Sequence, residues 1–449
     1  MHPHLQFAKA IKTRLALNGE TWLYIAIGLF YLLGVWEHLP YSGGQIYSDI
    51  VTVYQNRFCY FGQCSTSGLP YINYFVEYPV ITGFFMYSMG MLGHLLPLPG
   101  RDFIGDYYTF TSVFLLIPTL LLVQNVVKIM EILKIGQKNW RVLVYLIGTP
   151  SFVFILLVNW YVIGLFFAVF GLRKFLEGGR NNSLWSGLLF GLSAASNLIT
   201  AVPALGILIF GTNSWKERAR FVSSIVVAVL VVYFPVIVLN SFAHSYLNAS
   251  HATVHYPFAF PNTNFVSDFI SYEEGWYAEG SWMLAFFSNS NPIRQYIFPI
   301  MFIVLSTLIV YKGLRMKKSA TTHLDRADLV VTTCSLFTFA FLFSAYICTP
   351  QMNLLLLPFF ALLPAMTKHY PEFLAFEIVN ALVIVWGFSA PLAFLGINLP
   401  APVQFGPIWV SPIQFLAVLR SFWIGKFLVV DGLLSPSLFR LRALSVSHS

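Results

Sequence analysis

The chain has 449 residues, of which 57% are hydrophobic and only 10% are charged. A soluble domain carries about 25% charged residues, so this composition excludes an ordinary soluble protein. Repeated apolar runs approach the roughly 20 residues that a helix needs to cross a bilayer, and they predict an all-α polytopic membrane protein. The net charge of +8 does not indicate nucleic-acid binding, because the basic residues form short clusters between apolar runs, as the positive-inside rule expects.

The basic clusters predict which side of the membrane each connecting segment occupies. They comprise Lys9, Lys12 and Arg14; Lys134, Lys138 and Arg141; Arg173, Lys174 and Arg180; Lys216, Arg218 and Arg220; Lys312, Arg315, Lys317, Lys318 and Arg326; and Arg440 and Arg442. With these clusters in the cytoplasm, we expect no lysine on the outer side. Only Arg57, Arg101 and Arg294 are expected there.

The first predicted elements are a basic cytoplasmic tail over residues 1–20, a helix over 21–38 and an outer loop over 39–78. No small-residue cleavage site follows the helix, which favours a retained span over a cleaved signal peptide. Two further apolar runs, 79–97 and 107–130, precede the next basic cluster. Three runs between two cytoplasmic clusters break the alternation, so either 79–97 is re-entrant or that cluster violates the rule.

After this cluster the apolar runs alternate regularly. Residues 142–158 are predicted to run outward, 241–292 to form a large outer loop, 394–411 to form an uncharged, proline-rich outer loop, and 431–449 to form a C-terminal tail. Several other runs are too short to span alone, which is typical of helices that stop partway and line a cavity. We expect about 12–13 transmembrane or re-entrant helices in a single integral membrane domain over residues 1–449.

Polar residues that do not fit a plain membrane span gather on the predicted outer side. They are Asp49, Arg57 and Glu77 in the first loop, Asn159 and Asn197 in helix turns, Arg294 at a helix start, and Gln351 in a late turn. A membrane enzyme with an external active site needs an outward-facing pocket to which several loops contribute. A surface carboxylate can act as the general base that deprotonates an acceptor hydroxyl. Arginine offers a planar fork for phosphate oxygens.

Simpler explanations stand beside these assignments. Asp49 also suits a helix cap or a solvated loop position, and Glu77 before a proline suits a helix start. Arg57 also suits a local ion pair, and Arg294 suits an interfacial side chain that snorkels. Polar groups such as Asn159 among membrane helices often simply hydrogen-bond their neighbours.

The predicted outer loops carry further candidates. His244, His251, His255 and Trp276 lie in the large loop, and Cys59 and Cys64 lie in the first loop. The histidine spacing is irregular for a zinc motif, so we expect no metal and consider the histidines as acid/base or acceptor contacts. The tryptophan suits sugar stacking or a membrane-interface belt. The Cys-x4-Cys pair suits a small disulfide loop.

The first-loop elements Tyr47-x-Asp49, Tyr54 and Glu77-Tyr78-Pro79 together resemble the pattern of GT-C glycosyltransferases. More specifically, they are similar to the polyprenol-phosphate-mannose-dependent mannosyltransferases of glycosyltransferase family 87. Three further patches agree in order and spacing, namely Asn159-Trp160-Tyr161, the glycine-rich run from Gly187 to Pro203, and Thr349-Pro350-Gln351-Met352 leading to Pro358. The resemblance spans most of residues 20–365. It departs at Tyr161, where the family often has Asp, and at Asn197, where it often has Lys.

This resemblance implies a GT-C fold, a polyprenyl-phospho-sugar donor and an outward-facing site. We predict transfer of a sugar, with mannose favoured, to a hydroxyl of a lipid- or protein-linked glycan, with inversion at the anomeric carbon. Asp49 is the predicted base with Glu77 in support, and the predicted donor-phosphate contacts are Arg57, Arg294, Asn159, Asn197 and Gln351. No cofactor or metal is expected, because a phosphate diester carries a single negative charge. The site then lies on the extracytoplasmic side of the plasma membrane, or in the ER of a eukaryote.

Two other functions stay open at this point. The chain suits a lipid or lipid-linked-sugar transporter or flippase that carries out no chemistry. It also suits a membrane glycan ligase or polymerase that uses a polyprenyl-diphosphate donor. A diphosphate should require more external Arg or Lys than three arginines, which favours a monophosphate donor.

Overall fold

The computed structural model describes residues 19–40, 46–54, 68–71, 76, 78–179, 181–212, 214–243, 291–345, 350–363, 370–387, 403–405, 408–410 and 412–434. The predicted N-terminal tail, almost all of the large outer loop and the chain beyond residue 434 lie outside these ranges. The predictions made for those segments stay predictions.

Helices make up almost all of the described chain. In chain order they are α1 (Gly19–Glu37), α2 (Asp49–Val53), α3 (Val80–Leu95), α4 (Phe103–Ile132), α5 (Lys138–Val142), α6 (Pro150–Ile155), α7 (Tyr161–Leu176), α8 (Asn182–Ser196), α9 (Ala204–Gly206), α10 (Trp215–Ala243), α11 (Asn291–Ser319), α12 (His323–Ser344), α13 (Leu357–Leu362), α14 (Tyr370–Gly387) and α15 (Pro412–Lys426). They are joined or extended by 3-10 segments at Leu198–Ala201 and Pro350–Leu355 and by π segments at Leu143–Ile147, Ile207–Gly211 and Phe427–Leu434.

One antiparallel pair of short strands, β1 (Val403–Phe405) and β2 (Ile408–Val410), departs from the helical pattern. Its register pairs the first residue of β1 with the last of β2. The hairpin lies inside the predicted proline-rich loop 394–411, so that segment is not entirely a loop. All other regular elements in the described ranges are helical, in agreement with the all-α prediction.

Within the described residues, four helices are long and apolar enough to cross a membrane. They are Phe103–Ile132, Trp215–Leu239, Pro299–Ser319 and His323–Ser344. The last of these, in α12, is 83% buried and therefore central, whereas those in α10 and α11 are each 22% buried and peripheral. The peripheral helices expose large apolar side chains such as Phe234. Exposed apolar helices of this length are typical of an α-helical membrane protein.

The predicted crossing over 142–158 is broken in the structure. The first part ends at Ile147, and α6 starts afresh at Pro150. Proline has no N–H to continue a helical ladder but fits the first turn of a new helix. Thr149 Oγ1 accepts a hydrogen bond from the Phe152 N–H at 3.1 Å and caps that turn. The segment predicted to run outward is therefore built from two helical pieces that meet at Gly148-Thr149.

Contacts between helices define the two ends of the bundle. Tyr31 Oη of α1 donates to the Ser112 carbonyl of α4 at 2.5 Å, and Tyr108 Oη of α4 donates to the Val35 carbonyl at 2.9 Å. The two helices are therefore antiparallel. The last turn of α1 and the first turn of α4 lie together, at what we call the site end.

The central helices follow the same axis. After the turn at Asn159, α7 runs away from the site end until Arg173 donates to Asn125 Oδ1 of α4 at 3.1 Å. Helix α8 returns beside it, since Ser193 Oγ donates to the Gly164 carbonyl near the start of α7 at 2.9 Å. The end of α8 thus lies at the site end.

Close packing aligns α8 with α10. Gly187 packs on Phe221 and Gly191 on Ile225, so the two helices run in the same direction. A Cβ on Gly191 would lie only 2.6 Å from the Ile225 carbonyl oxygen. Small residues allow such close approach of helices in membrane bundles. The start of α10 therefore lies at the end opposite the site.

Basic side chains collect at that opposite end, which we call the basic end. They include Lys128, Lys134, Lys138, Arg141, Arg173, Lys174, Lys216, Arg218 and Arg220. Lys128 and Lys138 pair with Glu131, and Arg173 and Lys174 pair with Glu177. This one-sided distribution is the asymmetry that the sequence pattern predicts.

Helix α3 does not cross between the two ends. Near its start, Thr82 Oγ1 donates to the Ser196 carbonyl at the end of α8, at 2.7 Å. Near its end, Gly93 contacts Phe103 and Tyr107 in the first turns of α4. Both contacts lie at the site end, so the 16-residue helix stays there. Of the two sequence-based alternatives for residues 79–97, the structure agrees with a segment that does not traverse the bundle.

Candidate functional site

Asp49 begins α2 and is held against the segment that leads into α7. Ser48 Oγ donates to the Leu157 carbonyl at 2.7 Å, and the Ile50 N–H donates to the Val158 carbonyl at 3.2 Å. The side chains from Ser48 to Ile50 are buried. A hydrogen bond on each side of Asp49 therefore fixes its backbone beside the turn that follows α6.

Three uncharged side chains donate hydrogen bonds to the Asp49 carboxylate. Tyr47 Oη lies 2.6 Å from Oδ1, whereas Asn159 Nδ2 and Gln351 Nε2 lie 2.8 and 3.2 Å from Oδ2. The two amides stand 110 and 302 positions away in the sequence. The fold thus brings three predicted site residues, Asp49, Asn159 and Gln351, into direct contact.

The neighbouring backbone sets the orientation of the Asn159 amide. Its Oδ1 accepts a hydrogen bond from the Trp160 N–H at 2.6 Å. An asparagine amide has one oxygen that accepts and one nitrogen that donates. Because the oxygen is directed to Trp160, the nitrogen is directed to Asp49.

This geometry bears on the simpler explanations for Asp49. Ser48 occupies the N-cap position of α2, and the Asp49 carboxylate accepts from other parts of the chain instead. A solvated loop acid would be exposed, whereas only 7% of Asp49 is accessible. An ionised carboxylate can accept all three of these hydrogen bonds. A carboxylate fixed in this way can take the proton of a hydroxyl placed against it.

Aromatic rings stiffen the surroundings of the carboxylate. Tyr54 stacks on Tyr107 of α4 with ring centroids 3.7 Å apart, and Tyr78 meets Trp160 edge-on at 4.9 Å. Tyr54, Tyr107 and Trp160 are buried. Two aromatic residues of the predicted first loop, Tyr54 and Tyr78, are therefore packed against α4 and against the turn that carries Asn159.

His38 connects the end of α1 to the same region. Its ring nitrogens Nδ1 and Nε2 each lie 3.1 Å from a backbone carbonyl oxygen, those of Ile46 and Phe154. A neutral imidazole donates from whichever of its two nitrogens carries the proton, so the His38 ring makes at least one of these hydrogen bonds. It holds the start of the Asp49 segment against α6.

Asn197 is the one remaining predicted site residue whose side chain is described, and it stands apart from this group. Asn197 uses Oδ1 to accept from the Ile199 N–H at 3.1 Å, which caps a 3-10 turn, and within the described chain it makes no contact with the Asp49 carboxylate. For Arg294 only the backbone of α11 is described. The other candidates lie outside the described residues, and they are Arg57, Cys59, Cys64, Glu77, His244, His251, His255 and Trp276.

Two features of the site went unnoticed in the sequence. Tyr47 belongs to the first-loop motif but was not assigned a contact with Asp49. A buried polar cluster behind Gln351 was also missed, and it contains Ser151, Asn353, Glu377, Asn380 and Arg420. Its sequence signal was available, because a Glu or Arg inside an apolar segment is uncommon and needs partners.

The helices define an α-helical membrane protein with a buried carboxylate at one end of its bundle. No family model, curated protein or solved structure matches the chain significantly. Within the described ranges, no group of three or more His, Cys, Asp or Glu side chains is placed to hold a metal ion. The residues around Asp49 are therefore the basis for assigning a function.

Proposed function

We propose that this protein is an inverting glycosyltransferase of GT-C type. It transfers a sugar, with mannose favoured, from a polyprenyl phosphate to a hydroxyl of a lipid- or protein-linked glycan. The single observation that carries the proposal is the Asp49 carboxylate, buried and held by Tyr47, Asn159 and Gln351. All four residues belong to the patches that resemble family 87 mannosyltransferases.

The proposed reaction is a single in-line displacement. The acceptor hydroxyl gives its proton to Asp49 while its oxygen forms a bond to the anomeric carbon of the donor. The bond between that carbon and the phosphate oxygen breaks, and the electron pair leaves with the polyprenyl phosphate. Asp49 afterwards releases the proton to solvent. Arg57 and Arg294 are the proposed contacts for the leaving phosphate.

The fixed geometry of Asp49 supports the role of base. A general base contributes about 10²–10⁴-fold when it is positioned against the proton it removes. The hydrogen bonds from Tyr47, Asn159 and Gln351 orient the carboxylate. Asn159 and Gln351, predicted at the donor phosphate, are then proposed to act through Asp49 instead.

The distribution of charge supports an outward-facing site. The described basic side chains between residues 128 and 220 lie at the end opposite Asp49. If the basic end faces the cytoplasm, as the positive-inside rule expects, Asp49 lies at the extracytoplasmic surface, where polyprenyl-phosphate sugars can reach it. The helix α3, which stays at this end, would lie along that surface.

One observation favours the alternative of a lipid-linked-sugar transporter. Glu377 and Arg420 are buried inside the bundle, and transporters use ionisable groups inside the membrane. A transport site must be reached by its substrate, however, whereas these residues are 0% and 1% accessible. The diphosphate-dependent ligase or polymerase has no comparable support among the described residues.

Transfer by the purified protein tests the proposal. The protein would be incubated with radiolabelled polyprenyl-phosphate mannose or glucose, with and without EDTA, together with a membrane lipid extract as acceptor. We expect label in an acceptor product from one donor, at the same rate with EDTA, and transfer about 10²–10⁴-fold slower with Asp49→Asn. Label from neither donor, with movement of intact donor across proteoliposomes, would instead establish the transporter.

A further inference from the structure

The two amides that bind Asp49 depend on separate parts of the chain. Asn159 follows α6, and Gln351 lies in the 3-10 segment Pro350–Leu355. Neither amide reaches Asp49 correctly unless these segments keep a fixed spacing. Reacting groups must be held to within a fraction of an ångström, and a displacement of about 1 Å can cost about 10²-fold in rate. Some element must therefore tie the two segments together.

Asn380 of α14 makes that connection directly. Its Nδ2 donates to Ser151 Oγ at the start of α6 at 2.9 Å and to the Pro350 carbonyl at 3.2 Å. Its Oδ1 accepts from Asn353 Nδ2 at 2.6 Å. One buried side chain thus contacts the helix that leads to Asn159. It also contacts Pro350 and Asn353, which stand on either side of Gln351-Met352.

The hydrogen-bonding capacity of Asn380 is fully used. Its Oδ1 also accepts from Arg420 Nη1 of α15 at 3.3 Å, which completes two donated and two accepted hydrogen bonds. The side chains of Asn380, Asn353 and Ser151 are completely buried. Breaking such a network leaves polar groups unpaired in the interior, at about 1–3 kcal/mol each.

Glu377, one helical turn before Asn380, reinforces the same connection. Its Oε2 accepts a hydrogen bond from the Ser151 N–H at 3.1 Å, and the residue is completely buried. Two side chains on one face of α14 therefore hold the start of α6. The Asn380 contact needs a donor at a fixed place, and the Glu377 contact needs an acceptor. Neither side chain has to be exposed to substrate to make its contact.

We propose that Asn380 and Glu377 are positioning residues that set the spacing of Asn159 and Gln351 and hence the orientation of Asp49. This inference rests on the proposed glycosyl transfer for its catalytic consequence. The physical connection itself does not depend on any activity. The physical connection and its catalytic consequence are therefore tested separately.

The first test measures hydrogen exchange of backbone amides in Asn380→Leu. We expect faster exchange in both 150–160 and 350–356, and unchanged exchange in α4, because the link to both segments is lost together. Asn125→Leu is the matched control, since Asn125 is a buried asparagine hydrogen-bonded at the basic end. Exchange that rises in only one of the two segments, or in neither, would overturn the inference.

The second test measures sugar transfer per folded molecule. For Asn380→Leu we expect kcat to fall about 10–100-fold with little change in donor KM, while Asn125→Leu keeps the wild-type kcat. Glu377→Gln should stay near wild type, because its amide oxygen still accepts from Ser151, whereas Glu377→Leu should resemble Asn380→Leu.

A double variant identifies the route of the effect. If Asn380 acts through Asp49, adding Asn380→Leu to Asp49→Asn lowers transfer no further. A further multiplicative loss would contradict the positioning role. Should the wild type transfer no sugar at all, the proposed function fails, and hydrogen exchange alone then decides whether α14 links the two segments.

Discussion

Carboxylates at the two ends of the bundle are held in opposite ways. At the basic end, Glu177 follows the last residue of α7 and pairs with Arg173 and Lys174, four and three positions before it, and its side chain is 29% exposed. At the site end, Asp49 is 7% exposed and accepts from neutral side chains of distant segments. One carboxylate is local and solvated, and the other is non-local and enclosed.

The difference separates a structural role from a chemical one. Ion pairs between exposed side chains contribute little, about 0–1 kcal/mol, because water screens them. A buried carboxylate costs desolvation and is retained where the fold has a use for it. The burial of Asp49 and its hydrogen bonds to distant segments therefore support the proposal that chemistry takes place at the site end.

The largest expected effect comes from Asp49→Asn. The substitution keeps the shape of the side chain but removes its ability to take a proton. We expect transfer to fall about 10²–10⁴-fold, with the thermal midpoint in detergent close to that of the wild type. Radiolabel transfer and a melting curve on the same preparation measure the two effects. Full activity of the variant would remove the distinction between the two ends.

A smaller loss is expected for Asn159→Leu. It removes one hydrogen bond to the Asp49 carboxylate and leaves the Trp160 N–H without its acceptor. A hydrogen bond to a charged group is worth about 1.5–3 kcal/mol, which corresponds to about 10–100-fold in kcat. Steady-state kinetics with a saturating donor give the value. An unchanged kcat would mean that Asn159 does not orient the base.

Tyr47→Phe should have a more modest effect. The change removes only the hydroxyl that lies 2.6 Å from Asp49 Oδ1 and leaves the ring in place. We expect transfer to fall about 10-fold, because the two amides still hold Oδ2. Comparison with Asp49→Asn/Tyr47→Phe shows whether the hydroxyl acts through the carboxylate: the double variant should be no worse than Asp49→Asn.

The smallest effect is expected for Glu177→Gln, the matched change at the basic end. Loss of its exposed ion pairs should alter the free energy of unfolding by about 1 kcal/mol or less and leave transfer unchanged. Unfolding followed by intrinsic fluorescence, together with the transfer assay, checks this. A loss of activity comparable to that of Asp49→Asn would break the comparison on which the site assignment depends.

Hydropathy alone placed the long helices with useful accuracy. The run predicted over 107–130 appears as Phe103–Ile132, because a long apolar stretch has few alternatives to a helix in a bilayer. The break at Pro150 was missed, although proline there marks a helix start. The sequence did not decide whether residues 79–97 cross the bundle, since the hydropathy of the segment is the same in either case. Contacts of Thr82 and Gly93 with the site end decided it.

The sequence by itself determined the membrane class, the clustering of basic residues between apolar runs, and the choice of Asp49 as the leading candidate for the base. Each follows from composition or from short motifs, which are local properties. Only the tertiary structure decided that Asn159 and Gln351 donate to that carboxylate, and that Asn380 connects the segments that carry them. Such hydrogen bonds join residues separated by up to 302 positions, and helix packing alone sets their geometry.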